Sequence, residues 1–117
     1  MRLAHLPLAV ADQQRSRRFH ETSFGLRCKG GLDSEGCLHL TDADDFDLRL
    51  VARPNVSPSP SLHFGIRAAD PDSVQGLLRQ LAAKNVKTGD LFESDSPVAF
   101  HCWDPDGYQV EVFSEKS

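Results

Sequence analysis

An α+β fold of two βαβββ modules is predicted by three observations on the sequence. A strand-like stretch, a capped helical run and three further strand candidates occur once before residue 53 and again after residue 61. GCLHLTDADDFDLRL lies over VAFHCWDPDGYQVEV without a gap, matching His39 to His101 and Arg49 to Glu111. Between the two halves, Arg53 to Ser61 (RPNVSPSPS) is rich in Pro and Ser and has no periodicity, so it reads as a linker. The expected organisation is a single domain over residues 1–117, with module 1 at about 1–52, the linker at 53–61 and module 2 at about 62–117.

The elements follow in order. Leu3 to Val10 alternates as a strand, and Asp12 offers an N-cap to a helix that Gly25 ends. Leu26 to Gly31, Gly36 to Thr41 and Phe46 to Val51 are three short strand candidates, the last two joined by turn-prone TDADD. Leu62 to Ala68 opens the second half as a strand. Asp70 caps the next helix, Pro71 suits its first position, and Val74, Leu77, Leu78 and Leu81 form one apolar stripe. Three strands close the chain, about Val86 to Phe92, Val98 to Trp103 and Tyr108 to Phe113. His5 and His63 each precede an N-cap aspartate by seven residues, at equivalent places in the repeat.

The last two strands carry the chemistry. Pro105 and Asp106 suit the centre of a type I turn and Gly107 a left-handed bulge position, which sets Asp104 opposite Tyr108 and His101 opposite Glu111. Val110 and Val112 then face a core, while Glu111 shares the other face with an imidazole. Such a pair suits a metal or a proton transfer. If the modules pair about a pseudo-twofold axis, one cavity carries His5, His39, Arg49, His63, His101 and Glu111. A buried arginine facing it would bind carboxylate or phosphate. His20, Trp103 and Tyr108 read as structural or packing residues.

Composition narrows the partners. The net charge is −4 with 26% charged residues and no block of like charge, which disfavours nucleic acid and membrane surfaces. No apolar run approaches a membrane span, and the opening MRLAHLPLAV lacks the features of a signal peptide, so a cytoplasmic location is expected. Three cysteines, Cys28, Cys37 and Cys102, show no CxxC spacing, which argues against a disulfide framework or a thiolate zinc site.

The repeat, the opening HLPLAVADQQRSRRFHETSFGL, the HFGIRAADPDSVQGLLRQLAAKNV segment and the WDPDGYQVEVF ending together resemble the vicinal oxygen chelate superfamily of glyoxalase I, bleomycin-resistance proteins, fosfomycin-resistance transferases and extradiol dioxygenases. The resemblance covers nearly the whole chain. It implies cupped mixed sheets around a divalent metal held by His5, His63 and Glu111, with Fe, Mn, Ni, Co or Zn all suited to the ligand set. It also implies a homodimer and a small-molecule substrate that chelates the metal through neighbouring oxygens. Departures are visible: Arg49 stands where glyoxalase I has a fourth ligand, Pro7 where fosfomycin-resistance enzymes have Thr, and His101 where many extradiol dioxygenases have Tyr. The expected function is a metal-dependent lyase, isomerase, thiol transferase or ring-cleaving dioxygenase. In it, His101 and Glu111 are catalytic and Arg49 and His39 bind an anionic substrate. The alternative is a metal-free drug-binding protein of the bleomycin-resistance type.

Overall fold

A computed structural model describes residues 1–115. The first half contains β1 (His5–Val10), α1 (Gln13–Phe24), β2 (Arg27–Cys28), β3 (Leu38–Thr41) and β4 (Asp47–Ala52). The second contains β5 (His63–Arg67), α2 (Pro71–Ala83), β6 (Phe92–Glu93), β7 (Pro97–Trp103) and β8 (Gln109–Glu115). Each half is a compact unit, Met1–Ser57 and Pro58–Ser117, and each has the predicted βαβββ order.

Each unit carries one four-stranded mixed sheet. The strand orders are β1-β4-β3-β2 and β5-β8-β7-β6, and the first strand of each runs parallel to the last. Period-two alternation decides the faces. In the first sheet Leu8, Val10, Leu38, Leu40, Leu48 and Leu50 are buried, and α1 lies against β4. In the second, Val98, Phe100, Cys102, Val110 and Val112 are buried, and α2 packs on β7 and β8. Val74 and Leu81 of the predicted α2 stripe are fully buried.

The helix ends are where the caps place them. Asp12 accepts from the Arg15 N–H at 3.0 Å and Asp70 from the Ser73 N–H at 2.7 Å. At the other end of α1, the Gly25 N–H donates to the Glu21 carbonyl. His20 is buried in α1, with its ring edge-on to Phe19 at 5.1 Å, as a structural residue would be.

Two edge strands are shorter than expected. β2 covers only Arg27–Cys28 of the predicted Leu26 to Gly31, because the chain turns away at Gly30, where φ is 72°. Of the predicted Val86 to Phe92, Thr88 makes one isolated bridge to Cys102 and only Phe92 enters β6. Gly89 and Asp90, both weak strand formers, interrupt it.

Candidate metal centre

The β7–β8 hairpin positions the first two site residues. Asp104 N–H donates to the Tyr108 carbonyl at 3.0 Å, and the Asp104 carboxylate accepts from the Asp106 and Tyr108 N–H groups at 3.0 and 2.9 Å. Gly107 takes φ 92°, the left-handed bulge position that the sequence predicts. The register that follows sets His101 opposite Glu111 and Trp103 opposite Gln109.

On its other side β8 pairs with β5, with Gly65 opposite Glu111 and His63 opposite Gln109. Beyond β7, the Gly89 N–H donates to the His101 carbonyl at 2.7 Å. A single row therefore crosses the sheet as Gly65, Glu111, His101 and Gly89. Since Gly65 has no side chain, His63, two residues back on the same face, is the nearest β5 side chain diagonal to Glu111.

His63, His101 and Glu111 converge. Each offers a ligand atom, and these atoms lie within 4.8 Å of one another. His101 Nε2 is 3.4 Å from Glu111 Oε2, and the His63 and His101 rings meet edge to face at 5.7 Å. Donors bonded to one ion at about 2.0–2.2 Å stand up to about 4.4 Å apart, so the set needs to close by only a few tenths of an ångström. His63 and Glu111, exposed and half-buried, supply an imidazole and a carboxylate that fit a divalent transition metal with positions to spare, and His101 stands close enough either to ligate the ion or to exchange protons beside it.

The first unit has the same register with different chemistry. His5 pairs with Asp47, Pro7 with Arg49 and His39 with Arg49, so His5, Arg49 and His39 hold in their sheet the places of His63, Glu111 and His101. His5 is exposed at the start of β1. Arg49 donates from Nε to Asp47 at 2.8 Å, and His39 is held from both sides, by Asp47 at Nδ1 (3.0 Å) and Asp33 at Nε2 (2.7 Å). Hydrogen bonds from its ring to the Asp33 and then the Asp47 carboxylate raise the His39 pKa above its usual range, against the effect of burial. His39 in turn lowers the Asp33 carboxyl to about 2. Burial alone would raise Asp47, but the bonds from Arg49 and His39 outweigh it and hold that carboxylate below its ordinary range. A polar cleft of about 440 Å³ lies against this network, lined by Lys29, His39, Thr41, Asp45 and Asp47.

Sequence reasoning named His5, His39, Arg49, His63, His101 and Glu111 but missed Asp33, Gly65 and Gly89. Asp33 lies in the loop GGLDSEG, whose composition announces a turn but not which side chain it will meet. The two glycines could have been found by extending the strand register across the sheet. Burial pushes the Cys102 thiol up to about 12, aided by Asp104, so it takes no part.

The sequence profile of the Glyoxalase/Bleomycin resistance protein/Dioxygenase superfamily matches residues 2–112. Among solved structures, a possible glyoxalase from Bacillus cereus is 27% identical with a TM-score of 0.84, over 96% of this chain and 97% of that one. The fosfomycin resistance protein FosX from Listeria monocytogenes is 13% identical with a TM-score of 0.84, over 97% and 93%. A lactoylglutathione lyase from Agrobacterium tumefaciens is 17% identical with a TM-score of 0.76, over 97% and 92%. The last two likenesses show the fold alone. No curated protein sequence matches the chain.

Proposed function

Since the chain belongs to the Glyoxalase/Bleomycin resistance protein/Dioxygenase superfamily, we propose that it is a divalent-metal-dependent enzyme acting on a small anionic substrate with neighbouring oxygens. The reaction is of the lyase, isomerase, thiol-transferase or ring-cleaving dioxygenase type. The observation that carries this reading is the convergence of His63, His101 and Glu111 on three adjacent strands.

His63 and Glu111 are the ligands on the second module, and the family resemblance adds His5 from the first module of the same chain or of a partner in a homodimer. Fe, Mn, Ni, Co or Zn would suit these donors and would supply Lewis-acid stabilisation of negative charge developing on a substrate oxygen. His101, with Nε2 3.4 Å from Glu111, is the proton-transfer group. Arg49 holds the anionic end of the substrate through the part of its guanidinium that Asp47 leaves uncovered, and Asp47 and His39 fix its direction.

Elemental analysis of protein purified without added metal, followed by oxygen uptake with Fe(II) and a catechol panel and by lyase and thiol-transfer assays, tests the reading. About one divalent ion per chain and an activity removed by chelation and by Glu111→Ala are expected. Protein that retains no metal yet binds an aromatic drug would make it a binding protein instead. Sedimentation at twice the chain mass is expected for the homodimer, and a monomer would contradict it.

A further inference from the structure

Gly89 has no backbone reason to be glycine. Its φ is not positive, unlike that of Gly107, and a Cβ built on it meets only ordinary contacts: the His101 carbonyl at 3.7 Å, Trp103 Cη2 at 3.9 Å and His101 Cβ at 4.0 Å. Alanine would fit, and a glycine beside a strand weakens pairing, so its absence of side chain marks a place where something else approaches closely.

That place is defined by its neighbours. It adjoins His101 in the row Gly65, Glu111, His101, Gly89, and its far boundary is the benzo edge of Trp103, whose ring carries the Lys87 ammonium 4.6 Å from its centroid. The first module fills the equivalent row completely, with Pro7, Arg49, His39 and Lys29, the Lys29 N–H donating to the His39 carbonyl at 2.8 Å as Gly89 does to His101. At the other end Gly65 has a packing reason, since a Cβ there would stand 3.0 Å from Phe113 Cε1. The opening at Gly89 has none.

We infer that Gly89 is a specificity-determining position: the planar organic part of the substrate lies over it against the Trp103 benzo edge, with its oxygens directed at Glu111 and His101. The space beside Gly89 is bordered by the Trp103 ring edge on one side and by the His101 carbonyl and Cβ on the other, with the Lys87 ammonium over the Trp103 ring, which suits a flat, negatively charged group. This inference rests on the metal-centre reading and adds the shape of the ligand to it.

The test uses the full chain loaded with Zn(II) and two probes, planar 4-nitrocatechol, followed by its absorption, and oxalate, a chelator too small to reach Gly89. Gly89→Ala fits the existing contacts, and Gly89→Val fills the space further. Both are expected to keep Zn(II) and oxalate affinity within about twofold of wild type while weakening 4-nitrocatechol roughly tenfold for Ala and more for Val. Equal 4-nitrocatechol affinity in wild type and both variants, or a wild type that binds Zn(II) and oxalate but not 4-nitrocatechol, would overturn the inference alone. A wild type that binds no metal would overturn the metal-centre reading and this inference with it.

Discussion

At the scale of single residues, one sheet register carries two chemistries. Glu111 and Arg49 stand at equivalent places, yet Glu111 meets two imidazoles while Arg49 donates through Nε to Asp47, which also binds His39. His39 gives this network a pH dependence whose sign follows from its partners. Its pKa is raised above 6.5, so its contribution is complete below that value and is lost as pH rises through the raised one. Asp33 is depressed from 3.8 to about 2, so its contribution holds above its ordinary value and is lost as pH falls toward 2. Thermal melting across pH 5–9 should therefore show wild type losing stability relative to His39→Gln as pH rises from about 6.5 upward. Parallel curves would contradict the linkage. His101 opposite Glu111 was legible because a short turn fixes a register. The bond from His39 to Asp33 was not, because no periodicity governs where a glycine-rich loop brings its side chains.

At the scale of elements, what was legible is what local chemistry decides. Caps at Asp12 and Asp70 and the Pro105-Asp106-Gly107 turn all stand where the residues predict them. The edge strands β2 and β6 were overextended, since the length of an edge depends on how far a partner strand follows it. The turn is also where the site's geometry is most exposed to a single change. Gly107 holds φ 92°, which a side chain tolerates poorly. Gly107→Ala should destabilise the protein by about 1 kcal/mol, read as a lower urea midpoint at unchanged slope. An unchanged midpoint would mean the bulge relaxes without cost, and the pairing of His101 with Glu111 would not depend on it.

At the scale of the molecule, two βαβββ units repeat one strand order and one register while only the second brings together a metal-capable cluster among the described residues. The repeat and the fold class were legible in the sequence, because caps, alternation and linker recur in step. The cluster of His63, His101 and Glu111 was legible only in part. His5, His63 and Glu111 were read as ligands and His101 as their acid–base neighbour, but the closeness of His63, His101 and Glu111 follows from how β5, β8 and β7 pair side by side, which is a fact of sheet packing. Among the described residues no helix is long and apolar enough to cross a membrane.

The most direct test of the metal centre is an anaerobic titration with Co(II), followed by its visible absorption, in wild type, His63→Ala and Glu111→Ala. Nitrogen and carboxylate ligation changes both the position and the intensity of the cobalt bands relative to the hydrated ion. Saturation of a ligated spectrum at about one Co(II) per chain is expected in wild type, with affinity lowered roughly tenfold or more in each variant. A wild-type spectrum that stays that of the hydrated ion, or titrations that are the same in all three proteins, would contradict the metal-centre reading.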